Sequence, residues 1–473
     1  MKKVKAGSLV LIFILLSLAQ ISFAAEKQNE TQVYKLGDIQ VSADVSEQKI
    51  TYTPSKIDIN LETYSSPGVA QNITDIIKDS AIVDLRGASD LVPEPDTVYL
   101  RGFDSQSYVT AIDGVQFQKS GGYWGFHFID YSLIPLSMIK NIEIIPGPHS
   151  SLYSGQAQGG VINVQTKNPE KHEKTELNGS LATSFKSYET MDTKLNINGG
   201  KDNLDIGFAL QDYSTDGYLR NNDADIWSVS GRFGYVLPSN GYINVMGSSG
   251  EKKTGWIVKN DPAQADYHSN YPIVKETSTT AAQSPTREKE PHYINFKYHQ
   301  PTSVGTLDLT AYYYYDSQEN FAHEKSGRFM GNHSALDVNW QTYGMKIQDE
   351  ITLFKGNSLI LGYDGARLET EWEKMVNVND LYIQDNWEIT DGLRLKLGAR
   401  YENIDIYWDN WNSTTGYKDQ SIEKKQIKKQ YNQISPTSFL TCDLDNFAQV
   451  LRDTSISVGV SRFWSPRSGY CQV

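Results

Sequence analysis

The stretch "IEIIPGPHSSLYSGQAQGGVINVQTKNP", residues 142–169, is the one whose reading decides the fold. It reads as a strand, a glycine-rich turn and a second strand. Such a turn can cradle a phosphate, carry a nucleophile on a sharp elbow, or let strands pack closely. A phosphate loop needs a helix after its glycines, so that free N–H groups point at the anion, and usually a Lys. Here Gly159 and Gly160 run into Val161-Ile162-Asn163-Val164, a β-branched run that predicts a strand, and the turn holds no Lys. A nucleophile elbow needs Gly-x-Ser-x-Gly between strand and helix. Ser154 follows Leu152-Tyr153 instead. The turn therefore reads as structural, and its meaning has to come from its surroundings.

The chain has 473 residues and a formal net charge of -13. That excess of acid argues against a nucleic-acid partner, which requires a basic face. Only 39% of residues are hydrophobic. This fits a soluble protein, or a β-barrel whose strands hide their apolar half by alternation. Tyr outnumbers Phe, 29 to 16. Rings with one wet end suit a membrane interface and also a sugar-binding surface.

Residues 1–24 read as a signal peptide. Lys2, Lys3 and Lys5 precede the apolar run "LVLIFILLSLA", which is too short to span a membrane as a helix. Ser22-Phe23-Ala24 places small residues as a cleavage site requires, so cleavage is expected between Ala24 and Ala25. No later stretch approaches the ~20 apolar residues of a membrane helix. An exported, membrane-embedded product would therefore be a barrel. Cys442 and Cys471 match no metal spacing, and two separate thiols fit them better than a bridge.

Residues 25–56 form a polar N-terminal arm containing one short extended island, "GDIQVSA" (37–43). Residues 57–169 read as a small α+β domain. "NITDIIKDSAIVDLR" opens with an N-cap and spaces Ile73, Ile76 and Ile77 as a helix would. "DTVYLRGF", "YVTAIDGVQF", "IKNIEIIPG" and "GVINVQTKN" read as strands. After residue 170 the texture changes to strands of alternating polarity. In "LDIGFALQDY", Leu204, Ile206, Phe208 and Leu210 alternate with Asp205, Gly207, Ala209 and Gln211. "GLRLKLGARYE" repeats the pattern. Soluble sandwiches also contain one-face-apolar strands. Sustained repetition favours an antiparallel transmembrane barrel, with short turns such as "TDG" and "PSNG" on one side. Long polar loops near 251–289, 317–337 and 405–427 fall on the other.

These blocks together resemble a TonB-dependent outer-membrane receptor. "VYLRGF", "AIDGVQF" and the 142–169 stretch are similar, in the right order, to the family's plug domain. "LYIQDNWEITDGLRLKLGARYEN", "ISPTSFLTCDLDN" and "VSRFWSPR" resemble its barrel strands. The resemblance implies an all-β transmembrane barrel, partial and antiparallel, with the α+β plug inside it. It implies residues 170–473 as barrel and a Gram-negative outer membrane as the site. "GDIQVSA" resembles the TonB box, so Asp38, Ile39, Gln40, Val41 and Ser42 are the expected contact with TonB. The expected cargo is a scarce solute, on family frequency a ferric siderophore, with cobalamin, haem or an oligosaccharide as alternatives. A secreted soluble β-rich adhesin or enzyme is the rival of another class. No cofactor is implied, and the chain is not read as an enzyme.

Two departures from the family carry expectations. The plug strand usually places an Arg before Gly-Pro to pair with barrel carboxylates, and here that position is Pro146. Arg101 of "LRG" remains as the expected plug–barrel contact. The family closes about 22 strands, against roughly a dozen strand-like segments here. With the ending "SGYCQV", that count leads to the expectation of a truncated chain or a frame change.

Other chemistry is thin. His292 and His299 stand seven apart, which puts them on opposite faces of a strand. No metal-ligand frame or calcium loop is complete. One stretch stands out, the glycine-hinged loop "QFQKSGGYWGFHFID" (116–130). Tyr123, Trp124, Phe126, His127 and Phe128 there are either filler between plug and wall or a ligand platform on the plug's outer face.

Overall fold

The structure is a computed structural model. It describes residues 56–64, 72–85, 98–103, 107–116, 136–147, 151–154, 157–275, 285–321, 338–370, 375–408, 411–412, 417–418, 427–444 and 454–462. The arm island, the cleavage site and the aromatic loop lie outside the described residues.

The first domain is built on a five-stranded sheet. Its chain-order strands are β1 (Ile57–Asn60), β4 (Val109–Ile112), β5 (Val115–Gln116), β6 (Ile139–Pro146) and β7 (Gly160–Thr166). They lie in the order β1-β6-β7-β4-β5. Only β4 and β7 run parallel. A separate hairpin pairs β2 (Val83–Leu85) with β3 (Val98–Leu100). One short helix, α1 (Ile73–Ile77), starts where the sequence predicts it: Asn72 Oδ1 accepts the Asp75 N–H at 3.2 Å. Its three isoleucines are fully buried against Leu100, Ile142, Ile144, Ile162 and Val164. Tyr314 and Trp340 of the larger sheet join the same core, so the small domain packs directly on the inner wall.

The glycine-rich turn is structural, as the sequence indicates. Gly160 has φ +134, and a Cβ there would stand 2.2 Å from the Ile145 carbonyl. At Gly159 a Cβ would meet Phe103 Cβ at 2.7 Å. Gly155 lies outside the described residues.

The second domain is a 14-stranded sheet, each strand antiparallel to its neighbours. It holds β8 (His172–Lys186), β9 (Thr190–Asp202), β10 (Leu204–Thr215), β11 (Ala224–Val236), β12 (Tyr242–Gly255), β13 (Thr286–Lys289), β14 (His292–Pro301) and β15 (Gly305–Phe321). It continues through β16 (Val338–Ile351), β17 (Asn357–Thr370), β18 (Met375–Thr390) and β19 (Leu393–Trp408). A small hairpin of β20 (Trp411–Asn412) and β21 (Tyr417–Lys418) leads to β22 (Ile427–Asp443) and β23 (Ser455–Ser461). Among the described residues β8 and β23 do not pair with each other.

The alternation in these strands has the sign of a membrane barrel. On β10, Ile206 and Phe208 are 40% and 39% exposed, while Asp205 is only 4% exposed. Across the sheet the outward face carries Phe233, Ile294, Leu361, Ile383, Leu397 and Ile434, all exposed. The inward face carries Asn244, Asn295, Lys346, Asp380, Gln384, Arg400 and Glu402, all buried. A water-soluble sheet would reverse these faces. This is a lipid-facing barrel wall with a polar, plugged lumen.

One reading of the turns needs correcting. "TDG" follows β10 and "PSNG" follows β11, so antiparallel order puts them at opposite ends. "TDG" shares its end with the long connections 256–285, 322–337 and 409–426. These are shorter than the sequence indicates, because β12, β15 and β19 run on past the alternating core.

Candidate functional site: the contact between plug and barrel

Asp113 occupies the tight turn between β4 and β5. Asp113 and Gly114 have φ of +52 and +75, the two positive values that a two-residue Asp-Gly hairpin turn requires. The turn pushes a carboxylate at the wall. Lys297 Nζ, on β14, donates to Asp113 Oδ1 at 3.0 Å. Asn295 Nδ2 donates to Oδ2 at 3.2 Å. The plug's own Thr166 supplies its N–H at 2.9 Å and its hydroxyl at 2.8 Å. Lys346 Nζ, on β16, donates to the Gly114 carbonyl at 2.7 Å. With four donors, the buried Asp113 carboxylate meets the condition under which a charge tolerates burial. Below it, Asn168 Oδ1 accepts from Lys297 Nζ at 3.2 Å and from Tyr242 Oη at 3.0 Å, fastening the link between plug and β8.

A second contact lies where residues 151–154 cross β18 and β19. Ser151 N–H donates to Gln384 Oε1 at 3.3 Å, and its hydroxyl to the Ile383 carbonyl at 3.2 Å. Ser154 Oγ donates to Glu402 Oε1 at 2.8 Å. Arg400 Nη1 donates to the Leu152 carbonyl at 3.3 Å. Gly398 makes this approach possible, since a Cβ there would stand 2.4 Å from Ser151 Oγ. The charges here belong to the wall alone. Arg400 Nη2 reaches Asp380 Oδ2 at 2.7 Å and Asp364 Oδ2 at 3.0 Å. Tyr382 lies between Lys346 and Arg400, each over its ring at 5.4 and 5.3 Å. Burial, backed by the charge of Glu143, pushes the Tyr153 phenol well up, so this plug residue stays neutral.

Beside this contact is a small cavity of about 20 Å³, room for little more than one water, lined by Gln116, Ser154, Tyr312, Asp364, Asp380 and Arg400. Gln116 ends β5, and the aromatic loop departs from that point.

Arg101, the residue expected to touch the barrel, is exposed in a turn at φ +54, and its N–H bonds the Ile82 carbonyl at 2.8 Å. The described polar contacts between plug and barrel run through Asp113, Gly114, Ser151–Ser154 and the Lys167–Asn168 link, and Tyr314 and Trp340 add apolar packing. Pro146 is buried at the end of β6. His292 and His299 do face opposite ways: His292 stacks outside on Tyr315, and His299 accompanies Asp308 and Tyr242. Sequence reasoning missed Asp113, Lys297, Lys346, Asp364, Asp380, Arg400 and Glu402. The barrel members share a usable signal, a charge at the inward phase of a strand whose other phase is apolar.

Comparison with known proteins agrees with this geometry. A model of the TonB-dependent receptor plug domain matches residues 50–161. A model of the TonB-dependent receptor-like β-barrel matches residues 163–466. The heme/hemopexin utilization protein C of Haemophilus influenzae is 31% identical over 156 residues, 33% of this chain and 20% of that protein. The hemin receptor of Yersinia pestis is 24% identical over 377 residues, 75% of this chain and 51% of that protein. The chain thus aligns with about half of that relative's length or less. Among solved structures, the copper transporter OprC has a TM-score of 0.68 at 13% identity, over 88% of this chain and 66% of that one. The ferric-catecholate import receptor Fiu of E. coli gives 0.64 at 15%, over 87% and 70%. At such identities these two structures speak for the fold alone.

Proposed function

The chain belongs to the TonB-dependent receptors, a family of outer-membrane receptor barrels and not of enzymes, and from that premise we propose that it imports a scarce iron-bearing solute. The observation that carries this reading is the plug tied to a polar inner wall while the outer wall is apolar. A plug held in this way obstructs the lumen until it is moved, and moving it takes work. TonB supplies that work by pairing with Asp38–Ser42 through strand addition, where backbone hydrogen bonds give affinity whatever the side chains. Cleavage after Ala24 frees the arm that carries this segment.

Ferric siderophore is the first reading of the cargo, on family frequency. Haem is the second, favoured by the relatives named for heme and hemin. His127 among four aromatic rings also fits it, because an imidazole can take an axial position on haem iron. Growth of an iron-starved strain expressing the protein, on haemin or on ferric siderophores as the sole iron source, separates the two. Val41→Pro, which removes a donor from an added strand, should abolish uptake and leave binding intact. Uptake that continues without TonB would sink the proposal.

A further inference from the structure

A line of polar contacts crosses the plug from the root of the arm to the barrel wall. Lys56 is the residue before β1, where the arm joins the sheet. Its Nζ donates to Glu143 Oε1 on β6 at 2.8 Å and lies 3.1 Å from Asp58 Oδ1. Glu143 Oε2 accepts Asn163 Nδ2 on β7 at 2.8 Å. Asn163 Oδ1 accepts the Gly114 N–H of the β4–β5 turn at 2.9 Å. The Gly114 carbonyl accepts Lys346 Nζ of the wall at 2.7 Å, and Asp113 beside it holds Lys297.

Side-chain pairs across strands are ordinary in sheets. Here, however, the partners follow the sheet order from β1 to the β4–β5 turn. They begin where traction on the arm arrives and finish on the turn that grips the wall. Glu143 and Asn163 face each other in register, so one carboxylate serves both neighbours. Asn163 is 3% exposed, and its amide spends one end on each side of the line. Burial works against the Lys56 ammonium, but Glu143 and Asp58 outweigh it and hold its pKa above the ordinary range. The clamp at the root of the arm is therefore charged at physiological pH.

We propose that Lys56, Glu143 and Asn163 are positioning residues that transmit traction on the arm to the Asp113–Gly114 turn, so that β1 and the wall contact release together. With Lys56 intact, pulling on the arm loads Glu143, then Asn163, then the Gly114 N–H. Without it, β1 peels from β6 and the load never reaches the turn. The proposal rests on the import reading, and its test is chosen to stand apart from that reading.

The test is force spectroscopy on the membrane-inserted protein, pulled through the arm, comparing the natural chain with Lys56→Met and Lys56→Arg. The natural chain and Lys56→Arg should release β1 and the turn in one event. Lys56→Met should give two events, the first at lower force. A Lys56→Met trace matching the natural one overturns the proposal. Asn163→Ala should also split the release in two, but with β1 still clamped to β6 by Lys56 its first event should come at higher force than in Lys56→Met, and Lys56→Met added to it should reproduce the Lys56→Met trace, since links in series are not additive. Additive changes would overturn the series order. In cells, Lys56→Met should lower uptake by roughly three- to tenfold with ligand binding unchanged. If the natural chain takes up no iron source, the import reading fails while the force traces still decide this one.

Discussion

Arg400 and Asp380 stand on adjacent strands of one wall, Nη2 and Oδ2 2.7 Å apart, each side chain 1% exposed. Asp364 lies 3.0 Å from the same nitrogen on the next strand over. Among the described contacts, the plug brings the Ser154 hydroxyl to Glu402 and the Leu152 carbonyl to Arg400. Release of the plug, as proposed, would leave these ion pairs made. The Asp113–Lys297 pair behaves differently, because its two charges belong to the two parts that separate. On the proposed import reading, the wall cluster would serve stability and the Asp113 turn closure.

Removing Arg400 leaves buried carboxylates with no cation in reach of both. Arg400→Met should cost roughly 3–5 kcal/mol, as breaking a buried ion pair from one side does. Arg400→Lys should fall between, because an ammonium cannot fork to two carboxylates. Adding Asp364→Asn and Asp380→Asn to Arg400→Met should recover most of the loss. Urea unfolding of the vesicle-inserted protein measures all three. If Arg400→Met alone unfolds at the natural midpoint, the cluster is not what holds this part of the wall.

Asp113→Asn keeps an acceptor for Thr166 and removes the charge facing Lys297. The weakened contact should favour plug release by about 1.5–3 kcal/mol, the range of a hydrogen bond to a charged group. Barrel unfolding should not change, because the wall's own ion pairs remain. Leakage through the barrel of a dye or antibiotic that the closed protein excludes is the readout. No increase in leakage would mean that the turn is not the closing contact.

These two contacts also mark what sequence alone can give. The start of helix α1, strands β3, β6 and β7 and the alternation of β10 were legible because each is a local pattern, three to ten residues long, whereas β1 and β2 were not read as strands and "YVTAIDGVQF", read as one strand, is β4 and β5 joined by a turn. The Arg400 cluster joins residues from β17, β18 and β19, and the Asp113 contact spans 184 positions to Lys297. No local period records such a pairing. Each left a signal that the strand reading passed over: "AIDG", taken as part of one strand, has the form of a tight turn, and Arg400 and Glu402 sit at the inward phase of "LKLGARYE". What was missing was the register that places Asp380 opposite Glu402 and Tyr382 opposite Arg400. Arg101 illustrates the converse. Its place in "LRG" resembles a family contact, yet a φ of +54 in the turn after β3 leaves its side chain in the open.

The outer face offers a test of the membrane itself. Ile383 is 45% exposed, between the ring levels of Tyr401 and Trp387 on the outward side. On a soluble sheet, an Arg in place of an exposed Ile would be close to neutral. In a bilayer, Ile383→Arg should cost about 2–4 kcal/mol if the position lies near the midplane, and less toward an interface. Folding into lipid vesicles, followed in urea, gives the number. Equal stability of Ile383→Arg and the natural chain would put this face in water.

The last prediction concerns the aromatic loop that follows Gln116, the last residue of β5, in the sequence. A loop that only fills space should tolerate aliphatic replacements, because cores accept swaps of similar volume at small cost. A ligand platform should not, because flat rings hold ring-bearing or chelated ligands by stacking and cation–π contact. Tyr123→Leu, Trp124→Leu and Phe128→Leu should therefore weaken binding of the iron source by about 1–3 kcal/mol at the best single position, with unfolding unchanged. His127→Gln divides the two cargo readings. It should alter the haem absorption spectrum if the imidazole ligates the iron, and leave ferric siderophore binding untouched. Leucine variants that bind as the natural chain does, or that lose binding and stability together, would make the loop packing and put the ligand elsewhere.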